Sequence, residues 1–136
     1  MEEKEKKAQE MYMQFQMIDQ QIKQLERQLE IVTHQLMELS TTSSSLDDFE
    51  KVSVGKEVLV PLSAGIFAKA SLKETSKLLV NVGANVVVTK DVPSTKKLIQ
   101  RQIDEIRNIH NQLMSEMDKL TGHAAQLEMQ LQEIMK

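Results

Sequence analysis

The residues able to do acid–base or ligand chemistry are few and scattered. Three histidines, His34, His110 and His123, could carry a proton near neutral pH or hold a metal. No acidic or cysteine ligand cluster accompanies them, and His34 falls on the outer side of a helical pattern. There is no cysteine, so a thiol nucleophile is excluded. The densest hydroxyl run is Ser40-Thr41-Thr42-Ser43-Ser44-Ser45, which is not a strand-to-helix elbow that would expose a nucleophile. Gly83-Ala84-Asn85 reads as a hairpin turn, because no Gly-rich spacing leads into a helix with Lys-Ser/Thr. The pairs Asp47-Asp48 and Asp104-Glu105 read as solvated charge on helix surfaces. The expectation is therefore no catalytic residue, no cofactor and no metal.

What remains is binding chemistry. Met1, Met11, Met13, Met17, Met129 and Met135 concentrate towards the two ends of the chain. A thioether is flexible and polarizable, so it fits unlike apolar partners. Met13, Met17 and Met129 fall outside the apolar seams described next. Two readings stand: a promiscuous contact surface, or ragged end packing.

The elements that position these residues are two long helices. Met11, Phe15, Ile18, Ile22, Leu25, Leu29, Val32, Leu36 and Leu39 recur at alternating steps of four and three. That is a heptad seam, and its 3.5-residue period implies a left-handed supercoil. The hydroxyl run from Ser40 interrupts it with weak helix formers, so the helix either continues or restarts near Ser45. A second seam follows Pro93, with Ser94 or Thr95 as its cap. It steps through Ile99, Ile103, Ile106, His110, Leu113, Met117, Leu120, Ala124, Leu127, Leu131 and Ile134. His110 is a polar seam residue of the kind that sets register. Two seams of matched length predict an antiparallel coiled coil within one chain. Each arm would be roughly 60 to 65 Å long at 1.5 Å per residue. Phe49 would lie opposite residues near Ile99, and Met11 near the C-terminal turns.

Between the arms the apolar period drops to two. Strands are predicted over 57–62, 66–72, 77–82 and 85–90, paired as two hairpins. Ser63-Ala64-Gly65 and Gly83-Ala84 supply the turns. One face, the expected inner one, carries Val58, Val60, Leu62, Ile66, Ala68, Ala70, Leu72, Leu78, Val80, Val82, Val86 and Val88. The other is largely polar but holds one large apolar residue per strand: Leu59, Phe67, Leu79 and Val87. Four short strands cannot cover both faces, so these four residues are expected to form an oligomer interface, the alternative being that the helices cover this face.

Composition agrees with long helices better than with a sphere. The chain has 136 residues, 3% aromatic and 27% charged. Residues 1–50 hold five Lys/Arg against eleven Asp/Glu, residues 51–91 six against three, and residues 92–136 six against six. An acidic first arm is a poor nucleic-acid footprint. The N-terminal stretch lacks a signal-peptide apolar core, and no run reaches a membrane span. A soluble cytoplasmic protein is expected, with no nucleic acid or membrane partner.

In combination, three blocks resemble the prefoldin family, α class, archaeal type. They are Gly55-Lys56-Glu57-Val58-Leu59-Val60-Pro61-Leu62, Ile66 to Leu72, and Leu79-Val80-Asn81-Val82-Gly83-Ala84. The resemblance covers the whole chain, and two hairpins favour the α class over the β class. It implies an α+β fold, a long antiparallel two-helix coiled coil joined by two β-hairpins that assemble into an oligomeric β-barrel platform. The single domain would comprise residues 1–50, 57–91 and 94–136. It implies a hexamer of two α-class and four β-class subunits. It also implies an ATP-independent holdase that captures unfolded polypeptide at the coil tips and delivers it to a group II chaperonin. The client-contact region maps onto roughly residues 8–18 and 124–135. Its expected residues are Met11, Met13, Phe15, Met17, Leu127, Met129, Leu131, Ile134 and Met135. The alternative is a structural coiled-coil or filament-forming subunit without client binding.

Overall fold

The computed structural model describes residues 2–136. Helix α1 spans Glu2–Glu50 and helix α2 spans Val92–Met135. Between them lie strands β1 (Glu57–Ser63), β2 (Ile66–Ser71), β3 (Lys77–Gly83) and β4 (Val86–Asp91). The chain divides into two compact units. One combines Met1–Leu36 with Glu105–Lys136, and the other is Met37–Asp104.

In the first unit the two helical segments pair antiparallel. Leu25 and Leu120 share one groove, while Tyr12 shares another with Leu131 and Met135. The expected approach of the N-terminal and C-terminal turns is therefore found within one chain. Ile18, Leu25, Val32 and Leu127 are buried, and the seam residues between them are half-buried. Each buried aliphatic is worth about 1.5–3 kcal/mol, which outweighs the weak propensity of any single helical residue. His110 keeps its seam position and is half-buried.

In the second unit α1 runs without a break through the hydroxyl run. The Thr41 and Thr42 hydroxyls turn back and donate to the carbonyls of Met37 and Glu38, each at 2.9 Å. Such residues cost roughly half a kcal/mol each against alanine. Leu39, Leu46 and Phe49 stay on the seam and offset that cost, with Leu46 buried. Residues near Phe49 do meet the start of α2. The Lys96 ammonium binds Asp47 at 2.6 Å and Glu50 at 2.9 Å. These two carboxylates raise the Lys96 pKa above its ordinary value. Asp47 is solvated charge on the helix surface, 59% exposed, that also pairs with the other helix.

The helix α2 start corrects the expected cap. Asp91 closes β4 opposite Lys77, and its carboxylate also accepts the Ser94 backbone N–H at 2.7 Å. Pro93 sits in the first turn, where its missing N–H has no partner to lose. The cap is therefore Asp91, with no linker between strand and helix. Thr95, expected as a capping residue, instead donates its hydroxyl to the Asp91 carbonyl and is buried. Hydrogen bonds from Ser94, side chain and backbone, hold the Asp91 carboxyl below its ordinary pKa. A group whose folded pKa is depressed contributes stability above its unfolded pKa and loses it as pH falls through the folded value. The thermal midpoint of wild type should exceed that of Asp91→Asn at neutral pH. The gap should close below the ordinary carboxylate range, since asparagine caps without titrating. A gap that persists at low pH would contradict this role.

Both hairpins form as predicted, with small shifts at their ends. β1 pairs antiparallel with β2, and β3 with β4, as two separate two-stranded sheets among the described residues. Leu72 lies beyond β2 but extends its ladder. Its N–H donates to Lys56 at 3.1 Å, and its carbonyl accepts from Gly55 at 2.7 Å. Each hairpin has an irregular register before its turn, between Pro61 and Ser63 and between Asn81 and Gly83. In the second hairpin Asn85 belongs to the turn rather than to β4. Ala84 and Asn85 have φ of 50° and 60°, which a two-residue turn with matching strand twist demands. Alanine is strained there by about 1 kcal/mol. Ala84→Asn should raise stability to chemical denaturation by about 0.5–1 kcal/mol. Ala84→Gly should gain less, because glycine also loosens the unfolded chain.

Candidate functional site

Two exposed apolar surfaces stand out, one in each unit. The first is at the ends of the helices in the unit formed by residues 1–36 and 105–136. A groove of about 540 Å³ is lined by Ala8, Gln9, Tyr12, Met13, Leu131 and Met135. Its wall is almost wholly apolar, and two of its six residues are methionines. The helix pairing makes this groove. Seam residues face the partner helix, so the positions beside the seam flank the junction and remain open.

The nine expected client residues divide along that line. Met13, Met17, Met129 and Met135 are exposed. Met11, Phe15, Leu131 and Ile134 are half-buried on the seam, and only Leu131 of these four lines the groove. Leu127 is buried, which corrects its place in the expected set. Its side chain serves the helix pairing and offers no free surface. Tyr12, outside the expected set, is exposed beside Met13 in the groove. The signal was present in the sequence: Tyr12 follows seam residue Met11 directly, at a flanking heptad position.

The second surface is on the hairpins. Leu59, Phe67, Leu79 and Val87 are all exposed. Leu59 lies opposite Lys69 and Phe67 opposite Pro61, whereas Leu79 lies opposite Thr89 and Val87 opposite Asn81. Cross-strand partners share a face, so each hairpin presents a mixed apolar and polar side, as the alternation predicts. Val58, Ala68, Ala70, Leu78, Val80 and Val88 are half-buried. Towards the turns, Val60, Leu62, Ile66, Val82 and Val86 are exposed as well, an apolar rim that the strand pattern placed on the inner face. The register irregularity before each turn accounts for part of this, because an extra residue tilts the strand end out of its alternation.

Among the described residues, no three His, Asp or Glu side chains gather as a metal site. No helix among them is long and apolar enough to cross a membrane.

Comparison with known proteins assigns this arrangement. Residues 18–136 match the family model described as Prefoldin subunit. The chain belongs to the prefoldin family of chaperone subunits. It is 30% identical over 111 residues to the prefoldin subunit alpha of Methanobrevibacter smithii, covering 81% of this chain and 75% of that one. Against the prefoldin subunit alpha of Archaeoglobus fulgidus it is 26% identical over 127 residues, 93% of each chain. The prefoldin subunit alpha of Thermofilum pendens is 25% identical over 114 residues, 84% of this chain and 88% of its own. The prefoldin fold is seen again in the filamentous PFD of Methanocaldococcus jannaschii, solved by cryo-EM. Its TM-score is 0.75 at 19% identity, over 85% of this chain and 95% of that one. Prefoldin family membership thus accounts for both the paired heptad arms and the two hairpins.

Proposed function

We propose that this chain is the α-class subunit of an ATP-independent holdase. In this reading two copies join four β-class subunits, and the hairpins combine into a β-barrel platform. The helix ends hold unfolded polypeptide and pass it to a group II chaperonin. The observation that carries the proposal is the exposed apolar groove at Tyr12, Met13, Leu131 and Met135. Four β-strands in two hairpins with apolar residues on both sides support the platform. The relatives called prefoldin subunit alpha support the α class. A chain without cysteine fits a reducing compartment, and the proposed setting is the cytoplasm. No enzymatic step is assigned to it.

The test is aggregation suppression. The full chain, alone and with a β-class prefoldin subunit, is mixed with guanidine-denatured citrate synthase on dilution. Suppression without nucleotide, together with a hexameric native mass, is the expected result. A filament-forming spacer would assemble but leave aggregation unchanged. Transfer is then read as nucleotide-dependent recovery of citrate synthase activity once a group II chaperonin is added.

A further inference from the structure

The client surface has a chemical liability beyond its apolar character: its exposed side chains are mostly thioethers. Met13, Met17, Met129 and Met135 are 64%, 62%, 66% and 77% exposed. Met11 and Met117, on the seams, are half-buried. Met13 and Met135 line the same groove. Met17 lies about 6 Å along α1 from Met13, and Met129 about 9 Å along α2 from Met135. All four belong to the unit formed by residues 1–36 and 105–136. The chain contains no cysteine, so no thiol in it competes for an oxidant.

We propose that Met13, Met17, Met129 and Met135 form a reversible oxidation site, at which peroxide converts the thioethers to sulfoxides and releases bound client. The inference rests on the reading of the helix ends as the client surface. The sulfur attacks one peroxide oxygen, the S–O bond forms as the O–O bond breaks, and sulfur gives up two electrons. The second peroxide oxygen leaves as water. A thiol-dependent sulfoxide reductase reverses the change: two thiols supply two electrons and become a disulfide, and the sulfoxide oxygen leaves as water. The product side chain is polar and a strong hydrogen-bond acceptor. On an apolar groove it raises the cost of covering the surface with client, because that oxygen then loses its water. None of the four sits on a seam, so the helix pairing does not have to accommodate the added oxygen.

The experiment uses the full chain in its assembled form and hydrogen peroxide as oxidant. Peptide mass mapping reads each methionine, circular dichroism and native mass read the fold, and suppression of citrate synthase aggregation reads capture. Met13, Met17, Met129 and Met135 should oxidise ahead of Met11 and Met117. Oxidised wild type should need roughly tenfold more chain for equal suppression, with helicity unchanged and native mass raised only by the added oxygens. Two reductases, one for each sulfoxide epimer, together with dithiothreitol should restore capture. A chain with all four residues changed to leucine should show the same suppression before and after peroxide, whatever its own starting level. Met37 and Met114 are also exposed but lie outside the groove and the expected client region, so Met37→Leu with Met114→Leu should lose capture on oxidation as wild type does. Full suppression by fully oxidised wild type would overturn the proposal. So would a loss that reductase does not reverse, or an equal loss in the four-leucine chain. An unoxidised chain that captures nothing would instead sink the client-surface reading itself, and this inference with it.

Discussion

Phe67→Asp should break the assembly while leaving the chain folded. Phe67 is 57% exposed in the single chain, and Leu79, on the corresponding side of the other hairpin, is 78% exposed. A carboxylate at either position costs the isolated hairpin little, because water still reaches it. At an interface the same carboxylate is buried without a partner. The cost is several kcal/mol if it stays ionised, enough to shift a subunit equilibrium by orders of magnitude. Native mass should fall to that of smaller species, and the helical signal should largely survive, since α1 and α2 hold most of the residues. Leu79→Asp should act the same way through the second hairpin. An unchanged native mass in both variants would move the interface to the rim of Val60, Leu62, Ile66, Val82 and Val86, which is also exposed.

The largest functional effect should come from the helix ends. Deleting residues 1–17 and 124–136 removes the groove of Tyr12, Met13, Leu131 and Met135 entirely. It keeps Ile18, Leu25, Val32, Leu46, Val92 and Ile103, six of the seven buried apolar residues among those described. About three heptads of each seam remain, and the hairpins are untouched, so the platform should still assemble. Capture of denatured citrate synthase should fall steeply, by at least tenfold. Each arm offers only a few apolar contacts, and several arms holding one client raise the effective concentration of every contact after the first. Native mass should change only by the deleted residues. Salt should weaken capture by the intact protein little, because screening acts on charge and not on apolar contact. Added nucleotide should change nothing. Full suppression by the truncated assembly would move the client site to the platform.

The sequence by itself determined the elements and their faces. A heptad period and a two-residue period are local rules, so the two seams and the four strands can be read without knowing what packs on them. The mixed side of Leu59, Phe67, Leu79 and Val87 follows from alternation alone. The antiparallel closure follows because an unpaired seam of this length would stay in water. Only the tertiary structure decided the rest, and in each case the deciding partner is remote or competes with a local preference. The hydroxyl run from Ser40 disfavours helix locally, but seam residues on either side hold α1 through it. Ser94 and Thr95 are good caps by type, yet β4 runs on to Asp91 and its carboxylate reaches the Ser94 N–H first. Lys96 meets Asp47 and Glu50 across more than forty residues, which no local pattern encodes.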